Sequence, residues 1–240
     1  MKTILFVLVF IMIAGSTKTT QAQNKMNNDQ KLDRKQQSIV SISALTATGD
    51  IEHLKVQLNQ GLDAGLTVNE IKEVLVQLYA YCGFPRSLNG IIAFMAVIDE
   101  RKSKGINDPE GKTATAITDT DKYQTGKKNL KTLTGREEKE LSGANAFTPA
   151  IDTFLKEHLF ADIFGRDILT FKQRELVTVS ALAAMSGVAP QLQAHIGMGI
   201  NTGLTSGQFS DAFSIIDQAV NKYQGDIARE TLEKVIAPKK

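Results

Sequence analysis

Cysteine is almost missing from this chain: Cys82 is the one thiol in 240 residues. A lone thiol cannot close a disulfide within the chain, and without a Cys-x-x-Cys there is no dithiol redox centre. Histidine is scarce too, with three residues (His53, His158 and His195). No two of them stand at metal-ligand spacing, so no metal site is expected. Tryptophan is absent. Neither sign of charge dominates: 28 Lys and Arg against 26 Asp and Glu leave a net +2, too little to point to nucleic acid or an anionic membrane as partner. No glycine-rich phosphate loop and no serine nucleophile elbow occurs, and no segment alternates convincingly as a strand would. What remains is 42% apolar and 22% charged, an ordinary soluble composition with enough chain for one large domain or two small ones.

One apolar run does occur, from Ile4 to Ala14 behind Lys2, with Thr20-Gln21-Ala22 supplying small residues for cleavage. Residues 1–22 therefore read as a signal peptide, too short for a good membrane span, and 23–31 as a flexible polar leader. The mature chain is expected to be exported, periplasmic or secreted, with no membrane contact after cleavage.

The rest of the chain says one thing twice. Ser43-Ala44-Leu45 leads to Gly61-Leu62-Asp63-Ala64-Gly65-Leu66-Thr67, and Ser180-Ala181-Leu182 leads to Gly199-Ile200-Asn201-Thr202-Gly203-Leu204-Thr205. An offset of 137 residues (Ser43 to Ser180) becomes 138 (Gly65 to Gly203). A repeat of this length is a duplicated half-domain rather than a solenoid unit. The expected organisation is a first repeat over 32–103, a polar linker over 104–133 and a second repeat over 134–240.

Both repeats read as helices, so the fold class is all-α, a duplicated helical bundle. In the first, helices cover 32–48, the stretch around Leu54, Leu58 and Leu62, and a third element behind the capping box Thr67–Glu70. Cys82-Gly83-Phe84-Pro85 breaks that third element, and a fourth helix follows from Arg86. In the second, helices are expected over 134–141, 147–164, from Thr170 to Met185, 189–201, from Thr205 to about Tyr223, and 226–235.

His195 is the ionisable residue of most interest. It sits among small neighbours, Ala194, Gly197 and Gly199, which leave room for close packing or for a ligand. Glu175, on the preceding helix, could reach it and act on its protonation; the bland alternative is a buried, satisfied histidine and a surface carboxylate.

Four segments resemble the carboxymuconolactone decarboxylase family, which includes the alkylhydroperoxidase D-like proteins. They are Phe160–Arg166, Arg174–Leu182, Gln193–His195 with Asn201–Thr205, and Glu70–Leu75 with Tyr81–Pro85. The resemblance implies a cofactor-free lyase acting on a small carboxylated lactone or related acid, with His195 as general acid/base and Glu175 orienting it. Arg166 would hold a substrate carboxylate or else form a structural ion pair; Glu73 would line the pocket or else lie at the surface, and Cys82 would line it or else be a small buried hydrophobe. The peroxidase-like members use two cysteines, and here Val188 and Gln191 occupy those positions. A peroxidase or antioxidant reading would rest on Cys82 alone, and a non-catalytic small-ligand-binding protein is the further alternative. In the first repeat, Ser38 and Gln57 align with Glu175 and His195, so one acid/base site per chain is expected. The second repeat, reading Ala219-Val220-Asn221-Lys222, is expected to lack the turn at Gly83–Pro85. The family's habit of assembly implies a homo-oligomer, a homotrimer of two-repeat chains, with the apolar helices at 88–98 and 176–185 as contact surfaces.

Overall fold

Side-chain caps fix where the helices begin. In the computed structural model, which describes residues 31–238, α1 (Arg34–Thr48) starts behind Asp33, whose carboxylate accepts from the Gln36 N–H while the Gln36 side chain accepts from the Asp33 N–H. α2 (Ile51–Asp63) follows. α3 (Val68–Ser103) starts from the reciprocal pair Thr67 and Glu70. Next come α4 (Lys122–Thr134), the short α5 (Gly143–Phe147), and α6 (Pro149–Thr153), which runs into a π-helical segment, Phe154–Ile163. α7 (Phe171–Ala183) and α9 (Ser206–Ala219) each start from a capping box, Thr170 with Gln173 and Thr205 with Gln208. α8 (Ala189–Asn201) lies between them, and α10 (Lys222–Ile236) closes the chain. The described residues contain no strand. The proposed signal peptide and nearly all of the leader lie outside the described residues.

The stretch α1–α2–α3 and the stretch α7–α8–α9 are built alike. Each second helix ends in a glycine at positive φ, Gly65 at 93° and Gly203 at 97°, a backbone shape that a β-carbon would strain. Just after it, the Leu66 N–H returns to the Gly61 carbonyl (2.9 Å) and the Leu204 N–H to that of Gly199 (2.8 Å). α1 lies against α7, and each third helix crosses over to the first helix of the other stretch: α3 packs on α7, and α9 on α1. A single apolar core results, running from Ile39, Ile42 and Leu45 through Leu75 and Leu78 to Val177, Ile196, Phe209 and Phe213. Full burial of each such side chain contributes on the order of 2 kcal/mol.

Several expectations need correcting. The segment assigned as linker contains α4, and the boundary at 133/134 falls inside that helix. Its polar face hides the reason: α4 docks along the π-helical segment, with Tyr123 donating to Asp152 (2.6 Å) and Asn129 to the Phe160 carbonyl (2.8 Å). Gly126 sits so close that a β-carbon would lie 1.8 Å from the Lys156 carbonyl oxygen. Thr134 ends this helix rather than starting one, because Gly135 (φ 67°) supplies its left-handed stop, and no helix covers 135–141. The break in α3 sits at Gly83 (φ 82°, ψ 157°), with Pro85 in the first turn after it. A matching break exists in the second half after all. α9 stops at Val220, and the Asn221 side chain accepts from the Gln224 N–H (3.0 Å) to start α10. Asparagine capping does there what Gly and Pro do in the first half. By length and composition α3 could cross a membrane, but it is broken at Gly83, and Ile71, Val74, Leu75 and Leu78 of its first part lie in the core.

Candidate functional site

α7 places Arg174, Glu175 and Thr178 in the interior, all at 0% exposure. A carboxylate and a guanidinium buried this deeply need partners, and the partners come from two directions. From α8, His195 presents Nδ1 to Glu175 Oε2 at 2.8 Å. From α3, in the other half of the chain, come Glu73, Gln77 and Tyr81 at four-residue intervals, one face of a helix.

Glu73 is the anchor. Its carboxylate accepts from Arg174 Nη2 (2.7 Å) and, through both oxygens, from Arg166 Nε (2.9 Å each). Burial pulls the Arg174 guanidinium down from its usual value, and the Glu73 carboxylate opposes that pull. Gln77 accepts from Arg174 Nη1 (2.9 Å) and donates to Thr178 Oγ1 and to the Arg174 carbonyl (2.9 Å each). Phe164 packs its ring beneath the Arg174 guanidinium at 5.7 Å. Arg166 and Glu73, both expected to meet substrate, are thus engaged with each other. Glu73 is inside the protein and not at its surface, while Arg166 remains over a third exposed with only Nε committed.

Tyr81 closes the site. Its ring meets His195 edge-on, centroids 5.4 Å apart and planes at 81°. Burial first, and then the negative charge of Glu175, push its phenol pKa up, so it stays protonated. The Thr178 hydroxyl beside the Tyr81 phenol opposes that rise, while the buried Glu175 Oε1 has no hydrogen-bond partner among the described residues. An ionised Glu175 makes Nδ1 of His195 the donor and leaves Nε2 to exchange a proton with a bound molecule. Such a pair, with one unpaired carboxylate oxygen and a protonated phenol beside it, has the parts of a proton-transfer site.

Cys82 is not part of this cluster. It packs against the core half-buried, and its thiol donates to the Leu78 carbonyl (3.1 Å). Burial pushes it up to about 11, against the weaker pull of Arg86. At neutral pH it is a thiol and a poor nucleophile. His53 is exposed and bonded to Asp50, and His158 to Asp162. The described residues contain no cluster of three or more metal-ligating side chains.

Sequence reasoning brought out Glu175, His195, Glu73 and Arg166, but missed Arg174, Gln77, Thr178 and Tyr81. The signal that marks them is the spacing 73, 77, 81 on one helix and 174, 178 on another, a polar stripe set among apolar neighbours such as Val74, Leu78, Val177 and Val179.

Two cavities lie apart from the cluster, neither lined by Glu73, Gln77, Tyr81, Arg174, Glu175 or His195. One, of about 460 Å³, opens over Ser38, Ser41, Gln57 and Gln60, with Ile215 and Gln218 of α9 on its far wall. Its Ser38 and Gln57 are the first-half counterparts of Glu175 and His195. The other, of about 1040 Å³, lies along α8 at Ala194, Gly197 and Met198. Cys82 lines neither.

Residues 17–95 match the carboxymuconolactone decarboxylase family. That stretch contains α1, α2 and the α3 residues Glu73, Gln77 and Tyr81. An uncharacterized protein of Methanocaldococcus jannaschii is 28% identical over 79 residues, covering 33% of this chain and 74% of the relative.

Proposed function

Proceeding from a chain that carries a carboxymuconolactone decarboxylase family segment at residues 17–95, we propose that it is a cofactor-free acid/base enzyme, a lyase acting on a small carboxylated lactone or related acid. The observation that carries this reading is the buried His195–Glu175 pair, closed by Tyr81 from the other half of the chain. In a decarboxylation, loss of CO₂ leaves a carbanion or enolate that needs a proton. His195 Nε2 delivers it, and Glu175 holds the ring and stabilises the imidazolium. The protonated Tyr81 hydroxyl donates to oxygen as charge develops there. Arg166, whose Nη groups make no hydrogen bond among the described residues, offers a cation to the substrate carboxylate from the seam's exposed edge.

The test is His195→Gln and Glu175→Gln, assayed on a panel of γ-carboxylactones alongside melting temperature. Loss of turnover in folded variants supports the assignment. Undiminished turnover, or no turnover by the wild type on any lactone together with a co-purifying unchanged ligand, favours a binding protein on the same scaffold. A thiol peroxidase is less well supported, because the family's cysteine positions hold Val188 and Gln191 and the Cys82 thiol is held protonated.

The same reading takes α1–α3 and α7–α9 as descendants of one duplicated unit, and the mature chain as exported after cleavage near Ala22. For assembly as a homotrimer, the contact face is the exposed stripe Phe84, Leu88, Ile92 and Met95 on the outer part of α3. The other surface expected to serve, 176–185, is mostly internal: Leu176, Val177, Val179 and Ala181 are buried by the chain's own core. Light scattering of wild type and Ile92→Glu tests the stripe, a trimer reduced to monomer being the expected outcome.

A further inference from the structure

Helix α8 has two working faces. Leu192, His195, Ile196 and Gly199 point inward. The opposite face, Pro190, Ala194, Gly197 and Met198, forms the floor of the groove of about 1040 Å³, walled by α4 and α10. The floor is apolar, with Leu130 of α4 and Val235 of α10 continuing it.

The rim is cationic. Lys127, Lys128, Arg136 and Lys234 line it and have no ion-pair partner among the described residues. The two acids that share the groove are already matched, Glu137 with Lys131 (3.1 Å) and Glu138 with the buried Lys156. The local field is therefore positive although the whole chain is nearly neutral.

Gly197 is the telling position. It lies inside α8 at ordinary helical φ, where glycine is a poor choice. A β-carbon built on it would meet nothing within 4 Å. No neighbour needs glycine there, so its effect is to keep the middle of the floor open. The volume is at the upper end of the roughly 300–1,000 Å³ of ligand pockets.

We propose that this groove binds an amphipathic carboxylate, an apolar chain lying along Ala194, Gly197 and Met198 with its head held by the lysines and Arg136. A second copy of this chain is a poorer occupant, because the exposed apolar stripe of α3 is flanked by Arg86 and brings only Asp99, one turn beyond Met95, to a rim of four cations. The site is independent of the chemistry at His195, so its test does not use turnover.

Isothermal titration with decanoate, below its micelle concentration, gives saturable one-site binding to the wild-type chain. 1-Decanol, without the charge, and acetate, without the tail, bind at least tenfold more weakly. Gly197→Phe fills the floor and weakens decanoate at least tenfold, while Gly197→Ala, which adds one methyl to open space, leaves affinity within about twofold. Lys127→Glu combined with Lys234→Glu weakens decanoate at least fivefold and flattens its salt dependence, and this arm decides the matter if Gly197→Phe does not fold. The proposal is overturned by the absence of saturable decanoate binding, by equal binding of 1-decanol, or by unchanged affinity in a folded Gly197→Phe protein. A dimer in light scattering that Gly197→Phe dissociates would also overturn it, by assigning the groove to a second copy.

Discussion

Position for position, Ser38 of α1 stands where Glu175 stands in α7, and Gln57 of α2 where His195 stands in α8. The local frames agree: the first helix of each pair starts from a capping box, the second is turned by a positive-φ glycine, and a third helix crosses from the other half. The contents differ. Glu175 and His195 are sealed beneath Tyr81, whereas Ser38 and Gln57 line an open, polar groove faced by Ile215 and Gln218. Counterparts on α3 and α9 diverge in step: Gln77 and Tyr81 correspond to Ile215 and Ala219, and Glu73 to Asp211. Where the acid/base pair is present a polar stripe supports it, and at the counterpart positions two of the three residues, Ile215 and Ala219, are apolar. The teaching is that the site belongs to the seam, not to either half. Its proton-transfer pair lies in one stretch of sequence and its lid and anchor in the other.

The largest difference to break is catalytic. His195→Gln is expected to lower turnover by about 10²–10⁴-fold, the usual weight of a general acid/base, while Gln57→Ala leaves kcat within twofold; steady-state kinetics on the lactone substrate reads both. Next comes the anchor. Glu73→Ala strips the fully buried Arg174 of its carboxylate and is expected to cost about 3–5 kcal/mol in denaturant unfolding. Asp211→Ala, at the counterpart position, loses one acceptor of the Leu32 N–H (3.1 Å) and costs about 1 kcal/mol.

A smaller contrast concerns the thiol. With Cys82 raised to about 11 from an ordinary 9, alkylation by iodoacetamide in the folded protein at pH 8 is expected to run about a hundredfold slower than in denaturant. The sign for stability follows from the same shift. A thiol is neutral when protonated, so the folded state loses stability only as pH rises above 9, where the unfolded chain sheds that proton first. The smallest effect tests the groove of the first half. Ser38→Glu with Gln57→His restores the pair there, and because that groove is open to solvent, stability is expected to change by no more than about 1 kcal/mol. A large loss would show that the two frames are not interchangeable.

The parts of the fold that announced themselves in the sequence are those set by neighbours in the chain. Thr67, Thr170 and Thr205 bond within their own first turns, and Gly65 and Gly203 turn the backbone by themselves. α4 carries local signals too, the Asp121 cap and the Gly135 stop, but its polar composition hid them, and its packing comes from a distant surface, Gly126 seated on the Lys156 backbone and Tyr123 bonded to Asp152. The π-helical turn of Phe154–Ile163 likewise has no signature in apolar spacing. At the site, Glu175 and His195 were legible through the family resemblance, and the structure adds that they touch. Gln77, Tyr81 and Arg174 were not, since each alone reads as an ordinary polar residue of a helix surface. Only the packing of α3 against α7 makes them interior.

The crossed arrangement also dictates an order of events in synthesis. α1 finds its principal neighbour in α7, whose last residue, Ala183, leaves the ribosome long after Thr48. Until then α1, α2 and α3 can close on one another, but the face of α1 that α7 covers stays open. Contacts so remote in sequence slow folding and prolong the exposure of apolar surface. The nascent first half can thus form its own three-helix packing, but its core is completed only when α7 arrives to cover α1.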